Sequence, residues 1–314
     1  MRVLVTGGAG FIGSHLCDAL VERGDEVLCV DNLSLGREEN IAHLRRGPGF
    51  QFVKLDVLDP SAMDALLTGS GCEAVFHLAA NSDIRRGSED RQVDLHATFQ
   101  STLAVLEAML RHGLRRIFFA STSAIFGDTR ALLGEDFGPL RPVSFYGAAK
   151  LAAEAYLSAF VHHFAMRATV LRFPNVVGPR STHGAVHDFI GRLREDPGRL
   201  VVLGDGSQTK PYLYVGDLVR AMLLVFDRAS SPLDVYHVAG DGQTSVRQIA
   251  RIVVEEMGLE AIPIEYTGGS VGWVGDVPFF QYDTARIRRL GFVHRYDSTA
   301  AVRLAVRKIL GKEG

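Results

Sequence analysis

Short apolar runs rich in β-branched residues alternate, through the first half of the chain, with segments whose apolar positions recur every three or four residues. Residues 2–5, 26–30, 51–55, 74–78, 116–120 and 168–172 are expected to form strands. Residues 11–23, 62–68, 93–112 and 145–164 are expected to form the helices between them. The strands are apolar on consecutive rather than alternate positions, as happens when helices cover both faces of a sheet. Alternation of this kind predicts an α/β fold with a doubly wound parallel sheet. Beyond Phe173 the rhythm breaks, and Pro174, Gly178, Pro179 and Gly184 punctuate a loop region. Helical patterns follow at 184–194, 217–228, 246–257, 283–290 and 298–309, with short strands at 200–203 and 235–238. The expected division is a first domain of residues 1–173, to whose sheet elements from 212–240 return, and a smaller C-terminal α/β region of residues 174–314.

Charge and composition narrow the partners. Lys and Arg total 34 against 36 Asp and Glu, a formal charge of −2 over 314 residues, which excludes a strongly basic nucleic-acid binder. No apolar run reaches the roughly 18 residues that a membrane helix needs, and Met1-Arg2 passes straight into a strand and glycines, unlike a targeting segment. Cys17, Cys29 and Cys72 lie far apart, with no CxxC pair and no disulfide framework; a reducing cytoplasm is the expected location. His162-His163 and His183…His187 have spacings that metals use, but no further ligands accompany them, and no metal is expected.

The first strand runs into Thr6-Gly7-Gly8-Ala9-Gly10-Phe11-Ile12-Gly13. Glycines between a strand and a helix let backbone N–H groups approach a pyrophosphate at the helix N-terminus. Asp31 ends the second strand, where a carboxylate suits an adenosine ribose 2′-hydroxyl and repels a 2′-phosphate. NAD is therefore expected rather than NADP, and residues 1–173 are expected to be a Rossmann-type NAD-binding domain.

A second constellation is Tyr146-Gly147-Ala148-Ala149-Lys150. Residues four apart on a helix share a face, so the phenol and the ammonium point the same way. A tyrosine acting as a base near neutrality must be shifted by about 3 units, about 4 kcal/mol of preferential phenolate stabilisation. A lysine cation and a positively charged nicotinamide are sources of that stabilisation. The strand over 116–120 leads into Ser121-Thr122-Ser123, hydroxyls at the carboxyl end of a strand, where open α/β sheets bind ligands.

Together these motifs resemble an extended short-chain dehydrogenase/reductase of the nucleotide-sugar epimerase family, above all its UDP-glucose/UDP-galactose 4-epimerases. The likeness covers nearly the whole chain: TGGAGFIGSH, Asp31-Asn32-Leu33-Ser34, Asp56-Val57, His77-Leu78-Ala79-Ala80, YGAAK, the run Arg172 to Arg180, Leu203-Gly204-Asp205-Gly206 through Asp217, and Gly275-Asp276. It implies NAD contacts at Gly7, Gly10, Phe11, Ile12, Gly13, Asp31, Asn32, Leu33, Ser34, Gly36, Asp56, Val57, Leu78, Ala79, Ala80, Tyr146 and Lys150. It implies catalysis by Tyr146 and Lys150 with Thr122 as the hydroxyl partner, Ser121 and Ser123 standing as alternatives beside it. The UDP half of the substrate falls to Asn175, Lys210 and Asp276, and the resemblance also implies a homodimer with a four-helix interface.

The implied reaction is 4-epimerisation of a UDP-sugar through a 4-keto intermediate, UDP-glucose with UDP-galactose or the N-acetylated pair. Related dehydratases place Asp and Glu after the catalytic hydroxyl, and decarboxylases usually place a Glu at the second position; here these are Ser123 and Ala124. Neither does carboxylate acid–base work. A 4-ketoreductase and a noncatalytic NAD sensor are the alternatives; the former would consume added cofactor, and the latter would tolerate loss of Thr122, Tyr146 and Lys150. Several positions depart from the family pattern. Asp94 stands for a usual Asn, Phe126 for a Tyr, Pro174 for an aromatic, and Lys210 and Trp273 for Arg. The pyrophosphate clamp is then expected to be weaker or redistributed toward Arg180. Phe280 falls at the position that gates the N-acetyl pocket, where a bulky ring favours the plain hexoses.

Overall fold

The computed structural model describes residues 1–269 and 279–312. Seven parallel strands form one sheet: β1 (Arg2–Thr6), β2 (Glu26–Asp31), β3 (Phe50–Lys54), β4 (Ala74–His77), β5 (Arg116–Thr122), β6 (Arg167–Phe173) and β7 (Leu233–His237). Their spatial order is β3-β2-β1-β4-β5-β6-β7, which confirms the doubly wound α/β fold. Register is pinned at both neighbours of β1, where Val3 lies beside Val27 of β2 and beside Ala74 of β4.

Alternate residues of these strands feed two separate cores. Val3, Val5, Phe76 and Phe118 point into one layer, where α1 (Phe11–Glu22) contributes Leu16 and Leu20. Leu4, Val75, Ile117 and Phe119 point into the other, against Met63 of α2 (Pro60–Leu67), Leu106 and Met109 of α3 (Ser101–Arg111) and Leu157 of α4 (Phe145–Phe164). Each such side chain, fully buried, contributes about 1.5–3 kcal/mol, so both faces of the strands must be apolar.

The chain beyond Phe173 divides its work. Part of it completes the first sheet: β7 pairs with β6, Leu233 opposite Ala168, and α6 (Val215–Arg228) packs Leu218, Met222 and Phe226 into the same layer as α1. The rest builds a third core from α5 (Ala185–Glu195), α7 (Val246–Met257) and α8 (Ser298–Ile309), with Phe189, Ile249, Val253 and Val302 buried together. Ser245 opens α7 with a reciprocal capping box to Gln248.

One element departs from its expected form. The helix expected over 93–112 is interrupted: a turn at Arg91–Asp94 gives way to a π-helical stretch, Leu95–Gln100, before α3 begins. Hydroxyls just after the stretch bond back to its carbonyls. Ser101 Oγ donates to the Ala97 carbonyl at 2.8 Å, and Thr102 Oγ1 to the Thr98 carbonyl at 2.7 Å. Such insertions cluster at functional sites, and this one lies against α4, the helix that carries Tyr146 and Lys150.

Candidate active site

Strand order reverses between β1 and β4, and the crevice opens at their carboxyl ends, where doubly wound sheets bind ligands. Gly7 leaves β1 with φ +70°, and a Cβ there would lie 2.7 Å from the Ala79 nitrogen. A Cβ on Gly13 would overlap the Gly7 carbonyl. Only glycine permits this packing of loop on helix. No side chain caps α1 at Gly10, so its first N–H groups remain for an anion.

Asp31 ends β2 almost buried. Its Oδ1 accepts the Leu33 N–H at 2.8 Å and its Oδ2 the Ala9 N–H at 3.0 Å. Burial raises its pKa, and these backbone donors oppose the rise. Leu33 makes the turn with φ +63°. Asn32 Nδ2 donates to Asp56 Oδ2 at 3.0 Å, which ties the loop after β2 to the one after β3. A single cavity of about 350 Å³ is lined by every cofactor residue named from the sequence except Leu33, and by Thr122 and Asn175 as well. Cradle and carboxylate fit a dinucleotide whose adenosine ribose carries a free 2′-hydroxyl.

The reactive groups sit at one end of this cavity. Ser144 caps α4, its Oγ accepting the Gly147 N–H at 3.1 Å, which starts the helix at Phe145 and places Tyr146 in the first turn. Lys150, one turn on, is 2% exposed. Its Nζ donates to the Ala120 carbonyl at 2.7 Å and stands 4.6 Å from the centre of the Phe119 ring. Burial pushes its pKa down to about 7, against Glu154 and Asp94, which raise it. Burial lifts the Tyr146 phenol to about 12; its hydrogen bond with Thr122 pulls it back, and Asp94 adds to the rise.

The three adjacent hydroxyls are not equivalent. Ser121 Oγ donates to Glu154, whose carboxylate is gripped by Arg172 at 2.6 Å. Thr122 lines the cavity together with Tyr146, and its Oγ1 accepts the Ala124 N–H at 3.1 Å. Of the three, Thr122 lines the cavity, and Ser121 is committed to Glu154.

The substrate-side residues are less gathered. Asn175 lines the cavity from a short strand, Asn175–Val177, that pairs with Tyr212–Tyr214. Lys210 lies in a two-residue strand beside Thr244 and, among the described residues, does not line that cavity. Asp276 and Trp273 lie outside the described residues. Arg180 takes φ +68° and donates to Asp18 Oδ2 at 2.7 Å, an engagement at odds with a free phosphate clamp. Phe280 is buried against Tyr282, ring centres 5.5 Å apart, in a cluster with Phe126 and Leu133. Ser82, His96, Thr182 and His183 also line the cavity; the first three escaped the sequence reading, and His183 entered it only as half of a metal-like spacing. They sit in loops and in the π-helical stretch, where no short motif announces them. Among the described residues no cluster of His, Cys, Asp or Glu is arranged to hold a metal, and no helix is long and apolar enough to cross a membrane.

Fold and site together define an open α/β protein with a dinucleotide cleft whose inner end presents a Tyr–Lys–Thr set. Residues 3–239 match the model of the NAD dependent epimerase/dehydratase family. The chain belongs to that family, whose cofactor is NAD. It is 32% identical over 265 residues to a UDP-glucose 4-epimerase of Mycolicibacterium smegmatis, covering 82% of this chain and 83% of that one. The structure of a UDP-glucose 4-epimerase from Thermotoga maritima, solved with UDP-glucose, is 32% identical, covers 99% of both chains and superposes with a TM-score of 0.89. A UDP-glucuronic acid decarboxylase of Arabidopsis thaliana is 29% identical over 81% of this chain and 58% of its own length. The family and its nucleotide-sugar chemistry follow from these likenesses.

Proposed function

We propose that the protein is a UDP-hexose 4-epimerase interconverting UDP-glucose and UDP-galactose. The observation that carries this reading is the site's inner end: Thr122, Tyr146 and Lys150 line it together, and Ser123 and Ala124 follow where elimination or decarboxylation uses carboxylates. Groups that only move one proton suit a reaction with no net loss from the sugar.

When held by the glycine turn and Asp31, NAD would supply a hydride acceptor and donor and a positive charge. The residues of this chain handle the proton. Tyr146 Oη takes it from the sugar 4-hydroxyl and returns it on the opposite face, with Thr122 Oγ1 holding the shared hydrogen bond. Bringing a phenol from about 12 to near 7 takes about 7 kcal/mol of preferential phenolate stabilisation. Lys150 contributes only while it is an ammonium, so its own pKa of about 7 matters. Asn175 is assigned to the pyrophosphate, with Lys210 at the pyrophosphate and Asp276 at the ribose or uracil on the family pattern alone. We further propose a homodimer through the helices that expose Leu95, Tyr156 and Phe164, which are 40, 45 and 42% accessible. The free thiols fit a cytoplasmic location.

The test is conversion of UDP-galactose by purified protein with no cofactor added. Approach to a fixed mixture with UDP-glucose is the expected result. Conversion only of an N-acetylated or uronic UDP-sugar would overturn the hexose assignment, and dependence on added reduced cofactor would overturn epimerisation.

A further inference from the structure

Helix α1 carries a row of contacts that the proposed chemistry does not use. Phe11, His15 and Asp18 are spaced four and three apart along it, so they share one face. Three consecutive residues from beyond β6 meet them in register. Gly178 packs on Phe11: a Cβ on it would lie 3.4 Å from that ring and 2.5 Å from a Val215 methyl carbon. The Pro179 carbonyl accepts from His15 Nε2 at 3.1 Å. Arg180 Nη1 donates to Asp18 Oδ2 at 2.7 Å. The two charged side chains are 24 and 30% exposed, so water only partly screens the pair.

The seam joins opposite walls of the cofactor cavity. On one side Gly10, Phe11 and Gly13 line it at the start of α1; on the other, residues 173–176 and 182–183 line it, and residues 178–180 between them are pinned to α1. Asp18 also holds the Asp31 flank. Its Oδ1 accepts from His43 Nε2 at 2.7 Å, in the loop between β2 and β3 that brings Ser34 and Gly36 to the cavity. One carboxylate thus ties down a loop on each side of the cleft. Arg180 holds its place with φ +68°, a conformation that side-chain-bearing residues rarely adopt. Glycine would make that turn freely, so the turn does not call for an arginine and the ion pair does.

We infer that Asp18 and Arg180 are positioning residues: their ion pair latches residues 178–180 onto the cofactor helix, keeps the two walls of the cleft together and slows the escape of bound NAD. Neither side chain lines the cavity itself, so each acts through the segment it holds. For NAD to leave, the walls must part, and parting them breaks the pair. A pair that only braced the fold would lower the thermal midpoint when removed and leave the release rate unchanged. The latch belongs to the dinucleotide cleft and does not depend on which sugar reacts.

The test is the rate at which purified holoenzyme gives up NAD in cofactor-free buffer, read as NAD passing a filter, with no sugar present. Arg180→Gly keeps the turn and removes the pair; Asp18→Asn keeps the shape and removes the charge. Each is expected to release NAD about fivefold faster than wild type, the scale of a partly screened ion pair. Arg180→Lys, which keeps a cation, should stay within about twofold of wild type. Salt at about 1 M, where the Debye length is near 3 Å, should speed release more from wild type than from Asp18→Asn. Release from Asp18→Asn at the wild-type rate overturns the inference. So does fast release from Arg180→Gly alone, which would put the arginine on the cofactor directly. His43→Ala leaves the pair intact; if it releases NAD as fast as Asp18→Asn while Arg180→Gly does not, the holding belongs to the loop between β2 and β3 and the latch is overturned. If no UDP-sugar is converted, the proposed function fails, and these release rates still decide the latch.

Discussion

The cofactor side and the substrate side of this cleft are built by opposite means. The cofactor side is local: the glycine turn, Asp31 with its two backbone donors, and the loops after β3 and β4 each sit at the end of a strand, within a few residues of it. The substrate side is assembled from afar. Glu154 of α4 holds Ser121 of β5 and Arg172 of β6; Arg172 reaches the Glu135 carbonyl at 3.0 Å; and His237 of β7 donates to the Leu133 carbonyl at 2.9 Å. Backbone groups at strand ends make a rigid receptor for a constant ligand. A side-chain network joined across more than a hundred residues depends instead on several elements packing together. Relatives that differ in reaction yet share this fold are what such a division permits.

The sharpest break between the sides is at their seam. Tyr146→Phe removes the phenol that lines the cleft with Thr122 and Lys150, and turnover is expected to fall by about 10³-fold or more. NAD content should stay at the wild-type level, because the cradle is untouched. Turnover near wild type would remove Tyr146 from the chemistry. Gly13→Ala is the converse experiment. Its Cβ collides with the Gly7 carbonyl, so the loop must open. The purified protein is expected to lose bound NAD, read from the cofactor released on denaturation, while Thr122 and Tyr146 keep their places. Full NAD occupancy in that variant would show that the loop is not the cradle.

The same contrast governs what the amino-acid pattern reveals. The sheet was legible because both-face burial forces continuous apolar strands, and the cradle because its glycines, Asp31 and the Tyr–Lys pair act over one turn or one loop. The π-helical stretch was not, since the periodicity of residues 93–112 is that of an ordinary helix and its hydroxyl donors, Ser101 and Thr102, read as unremarkable polar positions. Nor was the choice among Ser121, Thr122 and Ser123, which depends on Glu154 taking Ser121 from another element. Arg180 reads as a free cation until Asp18, 162 residues away, is seen to bind it.

Acid offers a graded probe, because each side carries a buried histidine. His77 lies under the cofactor side, its Nδ1 accepting from Thr6 Oγ1 at 2.7 Å and its Nε2 donating to Thr102 at 3.1 Å. His237 lies in the network of Arg172, Glu135 and Leu133. Burial drives both pKa values from 6.5 to about 3. The unfolded chain therefore binds more protons than the folded one between those values, so stability is full above about 6.5 and falls as pH drops toward 3. Each histidine is expected to contribute a slope of up to about 1.4 kcal/mol per pH unit in that window. Denaturant unfolding at a series of pH values reads this slope, and His237→Gln should remove roughly half of it. A variant that leaves the slope intact would show that the substrate side is already open in acid before the cofactor side unfolds.

The smallest effect expected is also the most discriminating within the substrate side. Asn175 lines the cavity and Lys210 does not. An amide hydrogen bond to a charged pyrophosphate is worth about 1.5 kcal/mol or more, so Asn175→Ala should raise KM about tenfold with kcat nearly unchanged. The charge of Lys210 would act at longer range through partly solvated space. Lys210→Ala should then raise KM by a similar or smaller factor, and its effect should shrink as salt is added, because a Debye length near 8 Å at physiological ionic strength screens it. An effect of Lys210→Ala that is large and indifferent to salt would mean direct contact, with the strand Thr209–Lys210 closing on the substrate when it binds. An effect of Asn175→Ala confined to kcat would move that amide from the pyrophosphate to the reacting sugar.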